Sequence, residues 1–192
     1  MAHVAIAVVG ADRPGIVAAV TKVLVERGCN LEDASMTILR GHFAMMLVVD
    51  VPTGTARGAA ADAASQAAAL EGDLAPVAED LHLVVIVRPL AEPPATDIAP
   101  HAAGERWTVA VYGADRPGIV YGVAALMAEL GINIVDLTTR VAGTREEPVY
   151  AMLLDVAVPP DVAESDLRSR LDRLAEQLAV ECSLHPADAD IL

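Results

Sequence analysis

The sequence predicts an α+β protein made of two copies of one βαββαβ unit, each with an antiparallel sheet and helices on one face of that sheet. Three observations support this prediction. The octapeptide GADRPGIV stands at residues 10–17 and again at residues 113–120. The register between the copies then holds without a gap as far as Asp33 and Asp136. The same order of strand-like and helix-like patterns follows in both copies, so the repeat is a structural unit and not an isolated motif.

Each unit opens with a strand and a helix. The segments HVAIAVV (3–9) and WTVAVY (107–112) have the length and composition of strands. After each octapeptide, apolar residues recur at helical spacing. These residues are Ile16, Val17, Val20, Val23 and Leu24 in the first copy, and Ile119, Val120, Val123, Ala124, Met127 and Leu130 in the second. Gly28 and Gly131 occupy the position of a glycine that ends a helix.

Two strands, a second helix and a last strand complete each unit, which gives the ferredoxin-like order. In the first copy these elements are the strands near 30–39 and 43–52, the alanine-rich helix 55–71 and the strand 80–88. In the second copy they are the strands near 132–142 and 148–158, a helix carrying a stripe of leucines, and a strand at about 180–186. The leucines of that stripe are Leu167, Leu171, Leu174 and Leu178.

The repeat divides the chain into a first domain (1–88), a linker (89–105) and a second domain (106–192). The linker contains four prolines, which favour an extended connection over a helix or strand. A short sheet with one open face is a poor stand-alone structure. We therefore expect the two sheets to pair, either within the chain or between chains of a homo-oligomer.

The composition excludes several classes of function. The net charge of −14 disfavours direct binding to nucleic acid, because such binding requires positive charge against phosphate. No apolar run reaches the roughly 18–20 residues of a membrane span, and no basic segment precedes the first apolar stretch as in a secretion signal. The two cysteines form neither a disulfide framework nor a zinc-binding spacing. We therefore expect a cytoplasmic protein.

The inventory of reactive residues predicts neither an enzyme nor a metal or cofactor site. No nucleophile elbow, Cys–His signature or phosphate-binding GxxxxGK[ST] loop is present. The five histidines show no local spacing typical of metal ligands. His82 is expected on the last strand of the first unit, facing the open side of the sheet.

The octapeptide has the features of a helix start that binds an anion. Pro14 and Pro117 have a fixed φ suited to the first helical position, so we expect the helices to begin there. The glycine that follows leaves room for a ligand or a neighbouring backbone. The amides of residues 15–17 and 118–120 then lack partners within the helix and favour a carboxylate. Asp12 and Asp115 stand just before these amides.

The second strand of each unit carries a polar face. Asn30 and Asn133 begin these strands, and an asparagine side chain both donates and accepts hydrogen bonds. The strand period of two puts Asp33 and Asp136 on the polar face, which we expect to be open. It puts Ala34, Met36 and Ile38, with Leu137, Thr139 and Val141 in the second copy, on the apolar face, which we expect to lie under the helices.

The combination DRPGIV followed by G-x-N-[LI]-x-D resembles the ACT domain, a small-molecule-sensing module. Two such modules together resemble the glycine cleavage system transcriptional repressor family. The DRPG[IL]V motif is also similar to the ACT portion of formyltetrahydrofolate deformylases and of some phosphoserine phosphatases. The resemblance implies amino-acid binding between paired domains, near the glycine of the turn and the asparagine of the second strand. It also implies action through a protein partner, such as a transcriptional activator, without contact to DNA.

The candidate ligand-binding residues follow from the helix start, the second strand and this resemblance. They are Asp12, Pro14, Gly15, Ile16, Val17, Asn30 and Asp33 in the first copy, and Asp115, Pro117, Gly118, Ile119, Val120, Asn133 and Asp136 in the second. The expected ligand is a small amino acid such as glycine or serine. Three alternatives stay open: the turns are helix starts and nothing more, the modules serve only for assembly, or the chain is a regulatory piece of a folate or serine-pathway enzyme.

Overall fold

The computed structural model describes residues 2–52, 63–90, 104–144 and 148–187. The chain forms two compact units, residues 1–93 and 94–192. Each unit has the order βαββαβ and one four-stranded antiparallel sheet, so the predicted fold class is confirmed. No helix in the described ranges is long and apolar enough to cross a membrane.

The bounds of the elements are as follows. Unit 1 consists of β1 (Ala2–Ala11), α1 (Ile16–Glu26), β2 (Asn30–Leu39), β3 (His42–Val51), α2 (Ala63–Leu81) and β4 (Val84–Pro89), with strand order β2-β3-β1-β4. Unit 2 consists of β5 (Glu105–Ala114), α3 (Ile119–Glu129), β6 (Asn133–Gly143), β7 (Pro148–Val158), α4 (Glu164–Leu178) and β8 (Val180–Pro186), with strand order β6-β7-β5-β8. Most of the expected linker, residues 91–103, lies outside the described residues.

The core of each unit lies between the helices and one face of the sheet. Every second residue of the central strands points to this face, because strand side chains alternate. In unit 1 the buried strand residues include Val4, Ile6 and Val8 of β1 and Phe43, Met45, Leu47 and Val49 of β3. The helices contribute residues at helical spacing, such as Ile16, Val20 and Leu24 of α1. Unit 2 repeats this pattern with Val109, Val111, Met152, Leu154, Ile119, Val123 and Met127.

The helices begin two residues later than the sequence suggested. We expected α1 and α3 to start at Pro14 and Pro117, but they start at Ile16 and Ile119. The glycine between proline and helix has a φ of 98° in Gly15 and 100° in Gly118, which is left-handed backbone outside the helical region. The proline therefore belongs to the turn that precedes the helix.

The boundary between α2 and β4 also differs from the prediction. The helix runs to Leu81, although we expected it at 55–71 with a strand from residue 80; residues 55–62 lie outside the described ranges. The buried stripe Ala67, Leu70 and Leu74 continues through Ala78 and Leu81, so core packing carries the helix past Pro76. His82 lies in the turn after the helix with a φ of 50°, not on a strand as expected.

The strand β2 is exposed along its whole length, and β6 is exposed at residues 135–141, whereas Ile134 is partly buried against the core. Their apolar residues do point to the helix side, since Met36 stands opposite Met45 and Ile38 opposite Phe43. However, Met36 and Ile38 remain 50% and 49% exposed, because β2 is an edge strand that the helices do not cover. The apolar side chains therefore point to the helix side of the sheet, as expected. They are not buried under the helices, which we had also expected.

Candidate functional site

The two helix starts have the same geometry. Gly15 and Gly118 are the N-caps of α1 and α3, and no side chain donates or accepts a capping hydrogen bond there. The first helical bonds run from the amide of Ala19 to the carbonyl of Gly15 (2.9 Å) and from that of Gly122 to the carbonyl of Gly118 (2.8 Å). In the described parts of the chain, the amides of residues 16–18 and 119–121 donate to no other residue. Each helix therefore presents three free N–H groups at its positive end.

The space above both helix starts is open. A Cβ atom built on Gly15 or Gly118 meets no atom within 4 Å. Glycine is therefore needed at these two positions for its left-handed backbone and not for lack of room in the unit. Within the described residues, the amides of residues 15–17 and 118–120 have no partner, as we expected, and the amides of residues 18 and 121 are free as well. The side chains of Ile16 and Ile119 are buried in the core, so only their backbone could face a ligand.

The first glycine of each octapeptide has a different role. A Cβ atom on Gly10 would lie 2.6 Å from Cδ2 of Leu83, and one on Gly113 would lie 2.8 Å from Cγ1 of Val180. Such contacts are shorter than side chains tolerate. Glycine at these positions therefore allows the first strand of each unit to lie close to the start of its last strand. The amide of Asp12 donates to the carbonyl of Gly41 (2.8 Å), which ties the first turn to the β2–β3 hairpin. The Asp12 and Asp115 side chains are exposed beside the helix starts.

The asparagines lie at the opposite end of each sheet. In unit 1, Ala11 pairs with His42 beside the helix start, whereas Asn30 pairs with Asp50 next to the beginning of β1. About eight strand residues separate the two ends, which corresponds to roughly 26 Å. Asn133 has the same position in unit 2, where it pairs with Ala157. One unit therefore does not bring its helix start together with its asparagine.

Asp33 and Asp136 follow the asparagines by three residues, one of which is the bulge residue, so they pair two positions further along the sheet and lie on the open face as expected. Asp33 stands opposite Val48, and its Oδ1 accepts a hydrogen bond from the amide of Ala34 (2.8 Å). Asp136 stands opposite a second carboxylate, Asp155. The hydroxyl of Thr108 donates to Oδ1 of Asp155 (2.7 Å). The asparagine ends of the two units therefore differ in charge.

A cluster that the sequence did not reveal lies beside Asn30. Nδ1 of His3 is 2.8 Å from Oδ1 of Asp50 and 3.2 Å from Oε2 of Glu32. The three residues come from β1, β2 and β3, so no local spacing in the sequence connects them. Glu32 is the extra residue of a β-bulge between Leu31 and Asp33, and a bulge re-aims a side chain in a way that strand alternation cannot predict.

The helix starts also differ beneath the turn. Tyr150 of unit 2 occupies the place of Phe43 in unit 1, and it is buried with its hydroxyl donating to the sulfur of Met152 (3.7 Å). Burial raises the pKa of Tyr150, and the negative charge of Asp115 raises it further. A neutral phenol therefore lies under the second helix start only.

Comparison with known proteins identifies both units. The family model described as "ACT domain" matches residues 2–88 and 106–185. The UPF0237 protein of Methanopyrus kandleri is 51% identical over 51 residues, which are 27% of this chain and 57% of that protein. The phosphoserine phosphatase SerB2 of Mycobacterium tuberculosis is 29% identical over 165 residues, which are 82% of this chain and 34% of the phosphatase.

A solved structure has the same fold over most of the chain. It is provisionally named a glycine cleavage system transcriptional repressor, and it matches with a TM-score of 0.65 at 21% identity, covering 96% of each chain. At this level of identity the likeness shows the fold. The part of SerB2 that matches both units is about a third of that enzyme.

Proposed function

The chain belongs to the ACT domain family, and on that premise we propose that it is a regulatory protein that binds a small amino acid and signals its presence to a protein partner. Its two domains are residues 1–88 and 106–192, joined by the linker 89–105. The observation that carries the proposal is the duplicated, uncapped helix start at Gly15 and Gly118. A carboxylate is the natural ligand of three free amides at the positive end of a helix.

The complete site requires two sheets. An amino acid is far shorter than the roughly 26 Å between the two ends of one sheet, so it cannot contact the helix start and the asparagine of the same unit. We propose that the helix start of one sheet and the asparagine end of a second sheet enclose the ligand together. The carboxylate then lies on the free amides, and Asn30 or Asn133 holds the ammonium group through its side-chain oxygen.

The open space above Gly15 and Gly118 and the apolar residues around it suit a small side chain such as that of glycine or serine. Val17 and Val120, which follow the buried isoleucines, are both exposed beside the amides. They offer contact to a methylene group and no partner for a second charge. We therefore propose glycine or serine as the ligand.

Action through a protein partner suits the charge of the molecule. With a net charge of −14, the chain is repelled by nucleic acid and depends on another protein for any effect on transcription. The name of the repressor-like structure supports a transcriptional partner. The similarity to SerB2 over 82% of this chain favours a second candidate, a non-catalytic regulator that acts on a serine-pathway enzyme.

Calorimetry with the full chain tests amino-acid binding. Each of the twenty amino acids is titrated at millimolar concentration, and the best ligand is then compared with its own amide, which lacks the carboxylate. We expect glycine or serine to bind, and the amide to bind at least about tenfold more weakly, because a charge-assisted contact to the free amides is lost. Absence of binding by all twenty amino acids would contradict the proposed function.

A variant pair tests the second half of the site. Asn30→Ala and Asn133→Ala together should weaken binding of that amino acid, whereas Ser35→Ala, an exposed change on the same strand as Asn30, should leave it unchanged. If the amide derivative binds as well as the free amino acid, the helix starts do not hold a carboxylate. If the asparagine variants bind normally, the site does not extend to that end of the sheet.

A further inference from the structure

The cluster of His3, Glu32 and Asp50 gathers three possible metal ligands at one end of the unit 1 sheet. One ring nitrogen and two carboxylate oxygens, one from each residue, lie within 4.8 Å of one another. His3 and Asp50 are paired neighbours on β1 and β3, and the bulge in β2 brings Glu32 to the same place. The position of His3 is fixed further because its carbonyl accepts a hydrogen bond from the amide of Leu90 (2.9 Å).

The cluster is not satisfied by its own hydrogen bonds. Asp50 is only 8% exposed, and its Oδ1 is fully buried without a hydrogen-bond partner among the residues that the structure describes. Nδ1 of His3 lies 2.8 Å from this oxygen, but of its two carboxylate contacts only the one with Glu32 has hydrogen-bond geometry. A single ring nitrogen cannot serve both carboxylates. A buried carboxylate oxygen without a partner is rare in proteins and points to a missing ligand.

The separations fit a divalent cation at the centre. Ligands about 2.0–2.1 Å from a tetrahedral zinc ion lie about 3.3–3.4 Å from one another; the 3.2 Å from His3 to Glu32 matches this spacing, and the 2.8 Å from His3 to Asp50 is about 0.5 Å shorter. We propose that His3, Glu32 and Asp50 bind one divalent transition-metal ion of the zinc class. The ion neutralises the two carboxylates and gives Asp50 Oδ1 its partner. The side chains of His3 and Glu32 are partly exposed, which leaves room for water to complete the coordination.

Unit 2 provides an internal comparison. The positions that correspond to His3, Asp50 and Glu32 hold Arg106, Ala157 and Val135. Val135 is likewise the bulge residue, and Arg106 stands opposite Ala157. Unit 2 therefore has the same backbone structure with no metal-binding side chain at these three positions. The fold itself does not require the cluster. We accordingly expect one ion per chain.

Metal titration of the full chain tests this site without any amino acid present, so its outcome is separate from that of the proposed function. Chain stripped with EDTA is titrated with Zn²⁺ by calorimetry and with Co²⁺ by visible absorption. We expect one ion per chain, ligand-field bands with Co²⁺ and a rise in melting temperature with Zn²⁺. His3→Gln and Asp50→Asn should each weaken Zn²⁺ binding at least about tenfold. His82→Asn removes an exposed histidine outside the cluster and should bind like wild type.

Two results would overturn the proposal: no stoichiometric binding of Zn²⁺ or Co²⁺ by the wild-type chain, or full binding by the His3 variant. Asp50 is buried, so Asp50→Asn could unfold unit 1. Glu32→Gln then replaces it, because Glu32 is exposed and its amide keeps the size of the side chain while losing the charge. Undiminished affinity in both Glu32→Gln and His3→Gln would show that the ion binds elsewhere.

Discussion

Burial sets the chemistry of the cysteine in unit 2. The pKa of the Cys182 thiol is raised to about 11, first by burial and then by the nearby carboxylate of Asp172. The pKa of Cys29 is also raised, mainly by burial, although Arg27 acts in the opposite direction. Since the thiolate is the nucleophile, neither side chain is poised for redox or covalent chemistry near neutral pH.

This pKa predicts the pH dependence of alkylation. In a Cys29→Ser chain, iodoacetamide should modify Cys182 slowly at pH 8, where about one thiol in a thousand is ionised. The rate should rise about tenfold for each pH unit up to pH 10. Because the folded pKa lies above the ordinary value of 9.0, the neutral thiol favours the folded state, and this contribution is lost as pH rises from 9 towards 11. Mass spectrometry of the modified chain gives the rate; a plateau already at pH 9 would contradict the raised pKa.

The octapeptide shows how far single residues can be predicted. Its duplication predicts two helix starts with free amides, and both helix starts have them. The separate reasons for its two glycines were not predictable, since one depends on φ and the other on contact with Leu83 or Val180, far away in sequence. The His3 cluster was missed for the same physical reason: it depends on strand register and on a bulge, neither of which leaves a local pattern.

Among the elements, α2 depends most on tertiary packing. Its N-terminal part is rich in alanine, but its buried stripe Ala67, Leu70 and Leu74 holds it against the sheet. Local propensity and a strand-like run after residue 80 predict that this helix ends near residue 71. Packing of Ala78 and Leu81 against the core outweighs those local preferences, and the strand begins only at Val84. The other strands fell within one to two residues of their predicted bounds, because alternation in a half-buried sheet is a strong signal.

The packing of α2 predicts a large effect of one substitution. Leu74 is fully buried, so Leu74→Ala should lower the free energy of unfolding of unit 1 by about 2–5 kcal/mol through the lost contacts and the cavity. Val25, which is 75% exposed on α1, provides the control, and Val25→Ala should change stability by no more than about 0.5 kcal/mol. Urea unfolding followed by circular dichroism measures both. Equal effects of the two variants would show that residues beyond 71 do not form the packed helix described here.

In the whole molecule, the two units have similar folds, but their sheets carry different side chains at the end where the asparagine lies. The helix starts are alike in backbone geometry, whereas the asparagine ends carry His3, Glu32 and Asp50 in unit 1 and the opposed Asp136 and Asp155 in unit 2. The two asparagine ends are therefore chemically unequal. We therefore expect calorimetry of amino-acid binding to resolve two affinities, or a single strong site per chain, and not two identical sites.

The distance between the helix start and the asparagine within one sheet has a thermodynamic consequence. If a ligand is held by two sheets, binding and pairing are linked, and each must strengthen the other by the same factor. Where the second sheet comes from another copy, dilution should weaken the apparent affinity, and the ligand should shift the association equilibrium seen in sedimentation. An affinity independent of protein concentration would contradict a sheet contributed by another copy. When the second sheet comes from another copy, the amount of ligand-bound protein depends on two concentrations, that of the amino acid and that of the protein itself.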